Sequence, residues 1–203
     1  IGSGTTGNVA NSYNTGSVRG AAGTGGLVGS MTTGSISNSF TTGAVTGAAG
    51  TGGLVGTITS GGISKSYATG DVIGDAGTGG LVGNITTGPI SESYATGDVS
   101  GAAGTGGLTG TATTGSISNA YASGNVVGTT ATGGLVGSTT GSVTYTYASG
   151  SVTGTSPGGL LGTKSGSTVL KNNFWSLASD DHAVGDIAGT ASDGATGISL
   201  ANL

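Results

Sequence analysis

Leucine returns along this chain with a fixed step. Leu27, Leu54, Leu81, Leu108 and Leu135 lie 27 residues apart, and Leu160 follows after 25. Three further columns keep nearly the same step. One is aliphatic: Val9, Ile36, Ile63, Ile90, Ile117 and Val143. One is valine: Val18, Val45, Val72, Val99, Val126 and Val152. One is aromatic: Tyr13, Phe40, Tyr67, Tyr94, Tyr121 and Tyr147, with Phe174 next after a small insertion. Glycine fills fixed places between them, at Gly16, Gly43, Gly70, Gly97 and Gly124. A period of this length is the mark of a solenoid, a propeller or an array.

Each period holds three short strand candidates, such as "GSISNSF", "GAVTG" and "GGLVGTIT", bounded by glycine or small residues. A propeller blade needs roughly 40 residues, so 27 suits one coil of a parallel β-helix with about three sides. The expected fold is therefore an all-β solenoid with roughly seven coils, a rod about 35 Å long at the spacing between paired strands. Residues 1–170 form the repeats, and 171–203 form an irregular C-terminal cap or tail. Position n sits over position n+27. Leucine, isoleucine, valine and the aromatics, Tyr67, Tyr94 and Tyr121 among them, are expected to stack as interior ladders. Corner glycines would supply positive φ, and threonine would face solvent. One coil alone cannot offset the entropy of ordering its backbone, so neighbouring coils must stabilise each other.

One place resists this pattern. In "ISNSF" a straight strand would put Ile36, Asn38 and Phe40 on one face. The middle position is held by Asn38, Lys65, Glu92, Asn119 and Tyr145 in successive periods. A buried unpaired lysine is implausible. The pattern predicts a corner or bulge there, or an outward aromatic. Either way, Lys65 lies beside Glu92 on the next coil, as an exposed pair of little energetic weight.

Composition narrows the functional classes. Among 203 residues 48 are glycine, 6% are charged and 4% are aromatic. The recurrence of large apolar residues argues against a disordered tract, and two prolines with no glycine period of three argue against collagen. No cysteine is present, so no disulfide or thiolate site is available. No apolar run approaches the ~20 residues of a membrane helix, so no membrane insertion is expected. A net charge of −4 with four basic residues disfavours nucleic acid as a partner. The sequence starts at Ile1, partway through a repeat, as a mature segment or a piece of a longer chain would.

Candidate chemistry is sparse. The glycine strings contain no "GK", and "GTGGLVG" does not satisfy G-x-G-x-x-G, so they read as architecture rather than as phosphate loops. They also lack the aspartate of a calcium-binding β-roll. Asp71 and Asp98 are one period apart and would stack, as a cation site, an acid/base pair or solvated corners. Ser17, Ala44, Asn125 and Ser151 share that rung, which favours corners. Arg19 is two coils away, so no enzyme-like cluster forms. His182 sits in "SDDHAVGD" with Asp180, Asp181 and Asp186, which suits an exposed acidic segment better than a metal site. Neither a catalytic residue nor a metal ligand nor a cofactor is expected. Two threonine rows invite an ice-binding alternative: Thr32, Thr86 and Thr113, and the loop row Thr24, Thr51, Thr78, Thr105 and Thr132.

The last part of the chain breaks the beat. Phe174 and the single tryptophan, Trp175, precede charged, irregular sequence and are expected to cap the last coil. The first part enters the repeat at once, which motivates end-to-end docking on another copy or continuation into a longer rod.

The units "SYATGDVIGDAGTGGLVGNITTGPI" and "SYATGDVSGAAGTGGLTGTATTGSI" resemble the GLUG motif, named for its Gly-Leu-hydrophobic-Gly core. The resemblance covers residues 1–175, with departures at Thr109 in "GGLTG" and in the short loop at Pro157. GLUG arrays occur in large bacterial surface and secreted proteins, including adhesins similar to filamentous haemagglutinin. The resemblance implies a non-enzymatic, extracellular stalk or surface filament. Its partners would be itself, end to end or within a longer chain, and a host-surface or matrix glycan or protein. The alternatives are a self-assembling fibre subunit, a polysaccharide-active β-helix enzyme and an ice-binding solenoid.

Overall fold

A computed structural model describes residues 2, 4–165 and 168–176, with the backbone alone of 195–198. Among these, every regular element is a β-strand and the named strand pairings are parallel. The chain is a β-solenoid of about six turns, somewhat fewer than the seven expected. Strand register repeats the sequence period: Val72 pairs with Val45 and Val99, and Tyr94 pairs with Tyr67 and Tyr121. The leucine column is tied by backbone bonds from Leu27 through Leu54, Leu81, Leu108 and Leu135 to Leu160.

Each coil has one long side and two short ones. The long side is a ten-residue strand in the first two full coils, Val28–Ser37 and Val55–Ser64. In the next coil it divides into Val82–Thr87 and Ile90–Ser91. The second side is a two-residue strand such as Tyr67–Ala68, and the third is one such as Val72–Ile73. Thus "GSISNSF" is cut in two by a corner, and its first half continues the strand begun in the preceding "GGLVGSMT". The glycine-rich loop then leads from the third side to the next long side.

The core is a stack of columns. Leu54, Val55, Ile58, Ile63 and Ala68 are all buried within one coil, and their counterparts lie above and below. The columns Met31–Ile58–Ile85 and Val28–Val55–Val82 complete what the four columns read from the sequence leave open. Val45, Val72, Val99 and Val126 are buried on the third side, outside that main cluster.

The aromatic column is not part of this core. Asn38 has φ 48°, Lys65 49°, Glu92 48° and Asn119 50°, all in the left-handed region. One residue in that conformation resets the alternation of the strand. Ser39 and Thr41 therefore turn inward and are buried, while Phe40 turns outward. The expected interior position of Tyr67, Tyr94 and Tyr121 is thus corrected. The corner and the outward aromatic, posed as alternatives, both occur because the first causes the second.

Two other expectations change. The loop threonines Thr24, Thr51, Thr78 and Thr105 are buried, not exposed. Each hydroxyl donates to a carbonyl three residues back, on Ala21, Ala48, Asp75 and Ala102 respectively; Thr132, the fifth of the row, is buried too, with no hydrogen-bond partner for its hydroxyl. Phe174 and Trp175 form a further rung rather than a lid, pairing in register with Tyr147 and Ala148. Phe174 is exposed and Trp175 buried, with the indole filling the space beside Gly159. The parallel ladder crosses the boundary expected at residue 170, since Leu170–Lys171 pairs with Val143 and Thr144.

Candidate functional surface

The outer rim of the second side carries the feature with the most organised chemistry. Tyr13, Phe40, Tyr67, Tyr94, Tyr121 and Tyr147 stack face to face along the rod. Successive ring centroids are 5.3, 4.9, 4.9, 4.7 and 4.7 Å apart, and neighbouring planes differ by no more than 9°. The spacing is imposed by the strands, which hold equivalent Cα atoms one β-ladder step apart. Each interior ring covers its neighbours' faces, so the row offers solvent its ring edges and hydroxyls. Burial, then the neighbouring phenols Tyr121 and Tyr67, raise the pKa of Tyr94 above its usual value. Burial and Tyr147 do the same for Tyr121, and burial alone for Tyr147.

Directly beneath this row runs a polar column that the apolar pattern does not announce. The backbone N–H of Ser12 donates to Ser39 Oγ, that of Ser39 to Ser66 Oγ and that of Ser66 to Ser93 Oγ. The Ser39, Ser66 and Ser93 hydroxyls donate to the carbonyl two residues back. The column satisfies N–H groups that the left-handed corner takes out of the regular ladder. Its signal in the sequence is the same step of 27, at Ser12, Ser39, Ser66 and Ser93.

Asp71 and Asp98 do occupy adjacent rungs, and both are exposed. Asp71 Oδ1 accepts the Asp98 N–H at 3.0 Å, and Asp98 Oδ1 accepts the Asn125 N–H at 2.7 Å. Asn125 Oδ1 repeats the contact, accepting from the N–H and hydroxyl of Ser151. The carboxylates therefore act as coil-to-coil caps, a role that an amide fills equally well. Arg19 is aligned with Thr46 and, one coil further, with Ile73, so it remains distant from both. Among the described residues, no group of three or more His, Asp or Glu gathers to hold a metal. Lys65 and Glu92 occupy the same corner one coil apart, as expected. Thr32, Thr86 and Thr113 face solvent. His182, Asp180, Asp181 and Asp186 lie outside the described residues.

No protein-family model matches this chain, and no curated protein matches its sequence. Among the described residues no helix is long and apolar enough to cross a membrane.

Proposed function

We propose that this chain is a stalk segment of a non-enzymatic extracellular rod, either a bacterial adhesin or a surface filament. The observation that carries this reading is axial uniformity. Leucine, isoleucine, aromatic, serine and Asp/Asn columns each run through successive coils with one register. A structure whose every column repeats resists bending and shear, because each coil is hydrogen-bonded to the next along its whole path. The resemblance to GLUG arrays supports the same reading and implies a rod outside the cell. Its ligand would be a glycan or protein of a host surface or matrix, met elsewhere on a longer assembly. A polysaccharide-cleaving enzyme would need convergent carboxylates, and the Asp71–Asp98 pair is already committed to capping.

Electron microscopy of the purified chain across a concentration series, with mass by light scattering, tests the proposal. A stable, stiff monomer of 18.6 kDa is the result expected of a stalk segment. Long uniform filaments with an axial repeat of one subunit would move the function to assembly itself. Thermal hysteresis or cleavage of a polysaccharide would overturn the stalk reading.

A further inference from the structure

The aromatic row has a property that stiffness does not use. Four consecutive rungs, Tyr67, Tyr94, Tyr121 and Tyr147, are phenols, bounded on one side by Phe40 and in register with Phe174 on the other. Their planes are parallel within 4° and their centroids are 4.7–4.9 Å apart. Coils related by axial repetition place like atom over like atom, so the carbons ortho to each hydroxyl also stack. Tyr147 is 44% exposed, and Tyr67, Tyr94 and Tyr121 are half-buried at the rim, so part of each ring is open to solvent.

We propose that this row is an oxidative cross-linking site at which neighbouring tyrosines couple to dityrosine, stapling consecutive coils covalently. Hydrogen peroxide, acting through a haem peroxidase, is the oxidant. It removes one electron and one proton from each of two phenols. The two phenoxyl radicals join through their ortho carbons as the rings turn. Each ring then returns its ortho hydrogen to the phenol oxygen as aromaticity is restored. Two tyrosines and one peroxide give one dityrosine and two waters. The fold's contribution is proximity: the partner is already in place, so coupling is intramolecular and outruns encounters between molecules.

Coupling would tie coils that are otherwise held by hydrogen bonds and packing alone. Tyr13 and Tyr145 are both exposed and offer the competing, intermolecular route. The test treats the folded chain with horseradish peroxidase and limiting peroxide, in a Tyr13→Phe/Tyr145→Phe background. Dityrosine fluorescence and peptide mass mapping are the readouts.

The expected result is a monomer that loses two hydrogens per link. Links should map to Tyr67–Tyr94, Tyr94–Tyr121 or Tyr121–Tyr147, with a yield unchanged on dilution. Adding Tyr94→Phe, which retains a ring as Phe40 does, should leave Tyr121–Tyr147 as the sole link. Covalent dimers whose yield falls on dilution would overturn the proposal. So would links formed equally well by the guanidinium-unfolded chain, or an absence of dityrosine while the peroxidase oxidises free tyrosine.

Discussion

Two corners of the coil turn the chain sharply, and their sequences obey opposite rules. At the corner before the aromatic row, the left-handed position holds Asn38, Lys65, Glu92, Asn119, Tyr145 and Asn172. At the glycine-rich corner, the left-handed position is Gly23, Gly50, Gly77 and Gly104, yet Ala131 and Ser156 take it in the later coils. Positive φ is thus tolerated by many side chains in both places. The glycines that follow show no substitution through six coils. Gly52, Gly53 and Gly56, with their counterparts from Gly25 to Gly162, are invariant along the rod. Their requirement is clearance. A Cβ on Gly52 would lie 2.5 Å from the Gly83 nitrogen, and one on Gly53 would press into the Gly80 carbonyl and lie 2.8 Å from the Ala68 Cβ. The repeated glycine string is therefore a seam of backbone packed on backbone, and left-handed geometry accounts for just one of its members.

The sharpest way to break this comparison is Gly53→Ala. The new methyl meets main chain above it, which cannot rotate away. Overpacking of a tight interior costs about 1–3 kcal/mol and more where backbone must shift, so a loss of about 3 kcal/mol is expected in denaturant unfolding. Gly50→Ala, at the left-handed position, should cost about 1–2 kcal/mol, since it adds left-handed strain and its methyl meets the side-chain ends of Asn84 at 2.9 Å and Thr57 at 3.0 Å, which can shift where main chain cannot. Equal losses at the two sites would remove the distinction.

A second test concerns Thr109, the departure in "GGLTG". It replaces a column of valines, pairs with Val82 and Val136, and is fully buried with no hydrogen-bond partner for its hydroxyl. An unsatisfied buried hydroxyl costs about 1–3 kcal/mol. Thr109→Val should therefore stabilise the rod by about 1 kcal/mol or more, raising the midpoint of urea unfolding with an unchanged slope. A destabilised variant would point to a partner for the hydroxyl.

These cases also show what could be read from the letters. The period, the parallel stacking and the leucine, isoleucine and valine columns were all legible, because burial repeats in one register. The side of the aromatic column was not. Period-2 logic placed Phe40 with Ile36, and a single left-handed residue between them reverses that alternation. Asn38, Lys65 and Glu92 marked the conflict, but left-handed preference is visible for asparagine and hidden for lysine and glutamate. The loop threonines were misplaced for a related reason. A threonine buried with its hydroxyl bonded to a local carbonyl is spelled the same as one facing water. The candidate surface was therefore half legible: its residues were named and its orientation was not.

Smaller effects sharpen the first corner. Lys65→Val puts a β-branched residue at φ 49° and should cost about 1–2 kcal/mol, whereas Lys65→Asn should be neutral or slightly stabilising. Asp98 tests the neighbouring caps in the same way. Asp98→Asn preserves the acceptor, as Asn125 does one coil on, and should change little. Asp98→Ala removes it from the Asn125 N–H and should cost about 1 kcal/mol. Thermal or denaturant unfolding of the paired variants separates loss of an acceptor from loss of a charge.

The weakest effect isolates the outer rim, because it depends on the tyrosines that the corner turns outward. Burial and neighbouring phenols raise the pKa of Tyr94 and Tyr121 above the usual 10.0, and burial raises that of Tyr147. A raised value means that the folded state favours the protonated phenol more than the unfolded chain does. The resulting stability is fully present below pH 10.0 and is lost as pH rises through the folded-state values. Unfolding midpoints should hold through neutral pH and fall in strong alkali. Ionised rungs would then also repel along the stack, so the decline should be cooperative in the number of tyrosines. Replacing Tyr94 by phenylalanine interrupts that row at its centre while keeping the ring. The variant should match the parent at pH 7 and keep more of its stability in alkali. If parent and variant fall together, the alkaline transition belongs to the other tyrosines or to the backbone. The stacked phenols would then be electrostatically independent of one another.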